Sequence, residues 1–299
     1  MYLTPKEAIN TYKSGCRARC EAPAQRILGK SILAGMMIGM GAAGSSVAAH
    51  YISNVGVARL VAAVVFPVGL MMVILLGAEL FTGDCLMIAA IPDNEITPWQ
   101  FIRMLATVFL GNLIGGVLLS IFVFFSGQLD YSGGALGAYS IKVALGKVML
   151  TPGRAIVSGV LCNILVAAAV LMAVCAKDIT GKLLVSFFVI MLFVTSGYEH
   201  CVANMYYITI GLIAKLNPSY ASVAMDTYGI TAAQLDLLNI KNMIVNNLIP
   251  VTIGNIIGGS FCVALPIYYL NRDKKAAVNT KEVKEVNEYG DSYIPSITR

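Results

Sequence analysis

The sequence contains two related stretches, GAELFTGD at residues 77–84 and GYEHCVAN at residues 197–204. Each follows an apolar run, begins with Gly-x-Glu and ends, five residues after the glutamate, in a residue type that caps helices, Asp84 or Asn204. A second short apolar piece follows each stretch. A glycine and a charged group thus interrupt a hydrophobic run twice in the same way, which predicts two broken membrane spans in related halves of the chain.

The composition around these stretches is typical of a membrane protein. The chain has 299 residues, of which 58% are hydrophobic and 12% charged, and its mean hydropathy is +0.77. One soluble core cannot bury that much apolar surface. A helix that crosses the hydrocarbon layer needs about 20 apolar residues. Six candidate spans fall in intervals without Asp, Glu, Lys or Arg, bounded by residues 30–59, 59–79, 103–130, 154–177, 182–199 and 241–272.

Two further internal matches flank the broken spans. Ala34-Gly35 corresponds to Ser158-Gly159, and GNLIGG at 111–116 corresponds to GNIIGG at 254–259. We therefore expect continuous spans near 28–51, 101–126, 154–176 and 244–271, with spans two and five broken. An odd number of spans in each repeat forces the two copies to lie inverted in the membrane. The sequence predicts an all-α protein with one transmembrane channel domain, 28–271, built from inverted three-helix repeats at about 28–126 and 154–271.

Both terminal segments are polar. Residues 1–27 are basic and contain no apolar run, which predicts a cytoplasmic amphipathic segment and not a signal peptide. Residues 272–299 are predicted to form a flexible cytoplasmic tail. With both termini inside, most of the 21 lysines and arginines lie on the inner side, as the positive-inside rule requires of a multi-pass inner-membrane protein. The net charge of +5 then calls for no nucleic-acid partner.

The broken spans indicate a pathway, because irregular backbone at membrane depth is tolerated where protein or a water-filled cavity satisfies it. The helix N-termini that follow the breaks favour an anion. His200, at the second break, can hold or donate a proton, although it could also be a structural histidine. Glu79 and Glu199 are expected to accept backbone N–H bonds within the breaks, where Gly77, Gly197 and Asn204 are also expected to be structural.

Several apolar side chains near the breaks could form hydrophobic gates or belong to the ordinary core. They are Phe66, Leu70, Leu80, Phe81 and Phe193. Thr82 offers a hydroxyl either to a substrate or to the loop backbone.

An intramembrane enzyme is the alternative from another class. The sequence has no His-Glu-x-x-His motif and only two histidines, too few for most zinc sites, and Ser46 with His50 lies far from either break. We therefore predict no catalytic residue, metal or cofactor. A structural scaffold would not require broken spans. The seven cysteines are expected to be small buried residues and not disulfides.

Four motifs of the chain are GAELFTG at 77–83, GYEHCVANM at 197–205, Cys162-Asn163 and NLIPVTIGN at 247–255. Through these motifs the chain resembles the formate–nitrite transporter family. The resemblance implies an aquaporin-like protomer in a homopentamer of a bacterial cytoplasmic membrane, with one pore in each protomer. It also implies roles for individual residues: His200 as the central pore histidine, Thr82 as the loop threonine, Lys147 as the vestibule lysine, Asn163 as a pore-proximal amide, Glu199 as the partner behind the histidine, and Leu80, Phe81, Phe66, Phe193 and Leu70 at the constrictions.

Within the family the chain looks most similar to the hydrosulfide-channel branch, so hydrosulfide is the expected substrate, and formate and nitrite are the alternatives. Gly83-Asp84 departs from the family, which often has Ser, Thr or Asn after the threonine. Our hypothesis is that Lys147 and the half-helix dipoles draw an anion in and that proton sharing at or near His200 neutralises it. The alternative is conduction of the bare anion, with His200 only as a dipolar donor.

Overall fold

The computed structural model describes residues 2–272, and within that range the secondary structure is helical apart from an isolated β-bridge between Tyr2 and Ala176. Six of the described helices are long and apolar enough to cross a membrane. We call them spans 1 to 6: Ala24–Ala49, Val55–Leu76, Pro98–Phe125, Pro152–Cys175, Ile179–Ser196 and Ile240–Asn271. Two shorter apolar helices, the first half-helix Phe81–Ala90 and the second half-helix Cys201–Ala214, follow spans 2 and 5. The predicted all-α, six-span architecture is confirmed.

The remaining helices lie outside the spans. They are Pro5–Ser14, Cys16–Glu21, the 3-10 turn Gln128–Asp130, Ala135–Val148, Pro218–Tyr228 and Ala232–Leu237. Span 2 consists of Val55–Val65 and Val68–Leu76, and the first half-helix continues from Phe81–Asp84 into the 3-10 turn Cys85–Ala90.

Both breaks begin at a glycine in the left-handed region. Span 2 ends at Gly77, with φ of 64°, and span 5 ends at Gly197, with φ of 72°. A side chain would strain the backbone there, so a glycine that ends a helix in this way is favoured. The chain then runs without helix through 78–80 and 198–200 before each half-helix starts. The breaks predicted in spans 2 and 5 are therefore confirmed.

Within each repeat the two continuous spans meet at glycines. An added Cβ at Gly35 of span 1 would overlap the carbonyl oxygen of Asn112 in span 3, and one at Gly254 of span 6 would overlap that of Ile156 in span 4. Such close contact between helix backbones is the usual role of Gly-x-x-x-Gly pairs in membranes. The two repeats thus use the same packing. In each repeat the broken span lies in sequence between the two continuous spans that pack together.

Span 6 departs from the regular helix that the sequence predicts. It is continuous, but it contains two π-helical segments, Met243–Leu248 and Ile257–Ala264. Pro250 and Pro266 follow them closely. A proline lacks the N–H of a regular turn and its ring clashes with the carbonyl four residues earlier, so a wider turn accommodates it.

The N-terminal segment is helical and packs against the transmembrane body. Its first helix starts with a capping box between Thr4 and Glu7. The Tyr12 hydroxyl donates to the Gly83 carbonyl oxygen at 2.9 Å, which ties this segment to the first half-helix. The division into terminal segments and a channel domain stays a prediction, and the expected tail at 272–299 lies outside the described residues apart from Arg272.

Candidate pore

Two cavities lie between the repeats, one after the other. The larger, which we call the vestibule, has a volume of about 950 Å³ and ends at Phe66, Phe193 and His200. The smaller, of about 10 Å³, is lined by the same three residues together with Leu70 and Leu80, among others. The shared residues therefore form a neck between a wide space and a nearly closed one.

Aromatic rings form the neck. The ring centroids of Phe66 and Phe193 are 5.8 Å apart at an interplanar angle of 74°, and Phe193 is 5.9 Å from the imidazole of His200. Phe66 lies just before Pro67 in span 2, and both phenylalanines are buried. Of the five residues expected at constrictions, four line the small cavity. Phe81 lines neither cavity, because its ring packs against Phe109 with the centroids 5.5 Å apart.

His200 is held by both ring nitrogens. Its Nδ1 accepts the backbone N–H of Ala203 at 3.0 Å, and its Nε2 lies 2.9 Å from the hydroxyl oxygen of Thr82 in the other repeat. A nitrogen that accepts an N–H carries no hydrogen, so the neutral ring has its hydrogen on Nε2 and donates to Thr82. The Thr82 hydroxyl then has its own hydrogen left to donate. Thr82 is fully buried and lines neither cavity, so its O–H donor reaches the apolar neck only beside His200.

An asparagine braces each break. Asn112 of span 3 accepts the first N–H of the first half-helix at 3.0 Å and donates to the carbonyl of Glu79 at 3.0 Å. Asn255 of span 6 accepts the first N–H of the second half-helix at 2.9 Å and donates to the carbonyl of Glu199 at 3.0 Å. Sequence reasoning missed this role, although the signal was available: both asparagines stand at the same place in the matched glycine motifs.

The Glu199 carboxylate contacts other side chains, not backbone N–H groups. Its Oε1 lies 3.0 Å from Lys147 Nζ, and its Oε2 accepts from Asn204 at 2.6 Å and from Asn247 at 3.3 Å. The expectation of backbone bonds is wrong, because Asn255 and Ser158 occupy the N–H groups of this break. Nor does the carboxylate hydrogen-bond to the imidazole: in the described residues the ring bonds to Thr82 and Ala203 instead.

The first break has a different charge arrangement. Arg19 of the N-terminal segment donates to the carboxylates of both Glu79 and Asp84, and Lys30 Nζ lies 3.8 Å from Glu79. The Glu79 carboxylate therefore also contacts cationic side chains in place of the backbone N–H groups that were predicted. Asp84 stands where the second repeat has Asn204, and a buried carboxylate there needs a positive partner. The sequence analysis did not identify Arg19, although the extra charge of Asp84 indicates such a partner.

Tyr12 adds to this arrangement. Its hydroxyl accepts from Arg19 at 3.1 Å and donates to the first half-helix. Burial raises the pKa of Tyr12 well above its ordinary value, so the phenol remains a donor at physiological pH.

Lys147 and Asn163 differ in their relation to the cavities. Lys147 lines the vestibule and lies over the ring of Tyr207, with Nζ 5.3 Å from the centroid. Asn163 is fully buried and donates to the backbone carbonyls of Thr82 at 3.1 Å and Asn255 at 2.7 Å. It therefore fixes the position of the Thr82 loop from behind.

Residues 2–272 form neither a metal site nor the Ser46–His50 pair that an intramembrane enzyme could use. Within residues 2–272, no group of three or more His, Cys, Asp or Glu side chains is placed to hold a metal ion. The His50 imidazole bonds to the Val47 carbonyl at 2.7 Å and to the Ser132 hydroxyl at 2.9 Å, and not to the Ser46 hydroxyl.

Comparison with known proteins gives a consistent result. The family profile described as "Formate/nitrite transporter" matches residues 6–269. The chain is 38% identical to "Formate channel FocA" of Haemophilus influenzae over 73% of this chain and 76% of that protein. It is 32% identical to "Probable formate transporter" of Methanothermobacter thermautotrophicus over 90% of this chain and 97% of that one. These relatives are named as channels and transporters.

Solved structures agree with this likeness. A structure described as "Pentameric formate channel with formate bound" superposes with a TM-score of 0.75 at 33% identity, covering 83% of this chain and 97% of that chain. An "FNT family ion channel" gives a TM-score of 0.73 at 26% identity, over 89% and 99%. The inverted repeats, the two braced breaks and these matches lead to one conclusion: the chain is a multi-pass membrane protein that belongs to the formate/nitrite transporter family.

Proposed function

We propose that this protein is a channel for small monovalent anions of weak acids, with formate as its first substrate and hydrosulfide and nitrite as further candidates. The observation that carries the proposal is the His200–Thr82 pair, which places an imidazole at an apolar neck below a wide vestibule and a hydroxyl donor 2.9 Å from its Nε2. Relatives named formate channels and formate transporters support formate ahead of the hydrosulfide that the motif resemblance favoured.

The neck favours passage of the neutral acid. A bare anion that leaves water for apolar rings loses hydration worth many kcal/mol, far more than the donors return. The neutral imidazole of His200 cannot give up its only proton without becoming an anion in the same apolar place. Formate therefore takes a proton from vestibule water, crosses the neck as formic acid in contact with the Thr82 hydroxyl, and releases the proton on the other side. His200 orients that hydroxyl.

The oligomer and the membrane location belong to the same proposal. By analogy with the pentameric formate channel, five protomers assemble, each with its own pore. The protein lies in a bacterial cytoplasmic membrane with both termini inside, and it works without cofactor or catalytic chemistry. Lys147, Glu199, Glu79 and the glycines of the breaks support the pore, and Phe66, Phe193, Leu70 and Leu80 close it to hydrated ions. Phe81 shapes the first half-helix from outside the neck.

Stopped-flow uptake into proteoliposomes tests the proposal. Formate, hydrosulfide, nitrite, acetate and lactate are compared, and internal pH is followed with a dye. We expect fast flux of the small weak acids with internal acidification, and a strong loss in His200→Asn. His50→Asn is the matched control, because His50 lies at the vestibule and not at the neck. Absence of flux above empty liposomes, from folded protein, would refute the channel, and ionic current without acidification would refute passage of the acid.

A further inference from the structure

The charged side chains of the vestibule do not balance. Its lining includes four: Arg59, Lys142, Lys147 and Glu199. Lys147 and Glu199 form an ion pair, so their charges largely cancel at any distance beyond the pair itself. No described salt bridge includes Arg59 or Lys142. The vestibule therefore carries about two uncompensated positive charges, and neither belongs to Lys147.

Arg59 is held at the mouth by uncharged groups. Its Nη1 lies 3.4 Å from the carbonyl oxygen of Thr195, at the end of span 5, and the guanidinium lies over Gly197. The side chain is exposed. Because a carbonyl dipole fixes the guanidinium without cancelling its charge, that charge remains available to an anion in the vestibule.

Lys142 is held in a similar way by aromatic rings. Its Nζ lies 4.4 Å from the ring centroid of Tyr228 and 6.0 Å from that of Tyr139. Such contacts orient an ammonium over the ring face but leave its net charge unchanged. Lys142 is also exposed, so water and small anions reach it.

We propose that Arg59 and Lys142, and not the ion-paired Lys147, collect the anion at the mouth of the vestibule and set the rate of its capture. This inference rests on the proposed function. A cleft with one sign of charge and low-dielectric walls raises the local concentration of the opposite ion. Lys147 is instead a positioning residue: it neutralises Glu199, whose other oxygen holds Asn204 in the first turn of the second half-helix.

The test measures initial formate uptake into proteoliposomes at low formate and at several ionic strengths. The Debye length falls from about 30 Å at 0.01 M to about 3 Å at 1 M, so uptake by the native protein should slow as salt is added. Arg59→Gln with Lys142→Gln should lower uptake at low salt by about tenfold, the lower end of such steering effects, and should flatten the salt dependence. The maximal rate at saturating formate should stay within about twofold, because only capture is lost.

Three variants separate charge from structure. Arg59→Lys with Lys142→Arg keeps both charges and should behave as the native protein. Arg154→Gln removes an exposed cation that does not line the vestibule and should change nothing. Lys147→Gln with Glu199→Gln removes the balanced pair, so the salt dependence should persist whatever the maximal rate becomes.

The inference fails if the double glutamine variant keeps the native salt dependence, or if that dependence disappears with the Lys147 and Glu199 pair instead. Either result would be obtained with a native protein that conducts formate. Failure of the proposed function is a separate outcome, since the native protein itself would then show no flux.

Discussion

The two nitrogens of His200 have different tasks, and this division constrains how the pore handles protons. Nδ1 caps the second half-helix through the N–H of Ala203, while Nε2 orients the hydroxyl of Thr82. A second proton on the ring would occupy Nδ1 and remove that cap, which is typically worth about 1 kcal/mol. The surroundings therefore favour the neutral ring. For this reason we assign the transported proton to vestibule water and the orienting role to His200.

Replacement of Thr82 tests the hydroxyl directly. Thr82→Val keeps the shape of the side chain but leaves Nε2 of His200 without its acceptor and the substrate without its donor. Loss of a hydrogen bond worth about 1.4 kcal/mol in the rate-limiting step slows transport about tenfold. Thr82→Ser keeps the hydroxyl and should stay close to the native rate. Stopped-flow formate uptake measures both, and equal rates for the serine and valine variants would exclude a role for the hydroxyl.

The Lys147–Glu199 pair is a further prediction at this scale. Both side chains are largely buried, at 16% and 9% exposure. Lys147→Met leaves the Glu199 carboxylate uncompensated and should destabilise the folded protein by about 3 kcal/mol. Adding Glu199→Gln should recover most of that loss, because no charge is then left unpaired. Thermal unfolding in detergent, followed by tryptophan fluorescence or loss of the oligomer, measures the difference. A double variant as unstable as the single one would contradict the explanation.

At the scale of elements, the breaks could be predicted from the sequence, whereas their supports could not be fully predicted. Gly77 and Gly197 identify the helix ends because only a left-handed corner makes glycine necessary there. The partners of Glu79 and Glu199 come from other helices, and a single sequence does not contain those pairings. The π-helical segments of span 6 were missed for another reason: Pro250 and Pro266 signal a disturbance, but not which kind.

We expect the two asparagine braces to contribute equally to the stability of the folded protein. Asn112→Leu or Asn255→Leu would leave one buried N–H and the carbonyl of Glu79 or Glu199 without a partner, and each lost partner costs about 1–3 kcal/mol. We expect both variants to lose stability to a similar extent, measured by thermal unfolding in detergent. Ser120→Ala, which removes a buried hydroxyl of span 3 that bonds mainly within its own helix, is the control. A large effect at one asparagine alone would show that the repeats do not share this support.

At the scale of the whole molecule, the N-terminal segment covers the first break, whereas the vestibule lies beside the second break. Arg19 ties the segment to Glu79 and Asp84, and Lys13 pairs with Asp93. The sequence predicted a basic amphipathic segment there, but not its docking, because its partners are carboxylates distant in the chain. The inverted symmetry of the spans is therefore accompanied by a clear asymmetry of charge.

Two native cysteines report this docking. Cys16 and Cys20 are buried in the segment, and burial raises the pKa of Cys16 to about 12, so its thiol stays protonated and unreactive at pH 8. Arg19→Gln should release the segment and increase maleimide labelling at pH 8 severalfold, in a background without Cys175 and Cys262. Asp84→Asn in addition removes one unpaired carboxylate, copies the second repeat at Asn204 and should restore protection. Unchanged labelling in Arg19→Gln would show that Arg19 does not anchor the segment.

The two braces also have a consequence for how the molecule is assembled. Asn112 and Asn255 each support the break of their own repeat, whereas the Thr82 carbonyl of the first half-helix accepts from Asn163 of the second repeat. A polypeptide cut in the loop after span 3, where Ser132 and the neighbouring glycines already adopt positive φ, leaves each fragment with the asparagine brace of its own break. Such fragments, synthesised separately in one cell, should find each other in the bilayer and rebuild the pore.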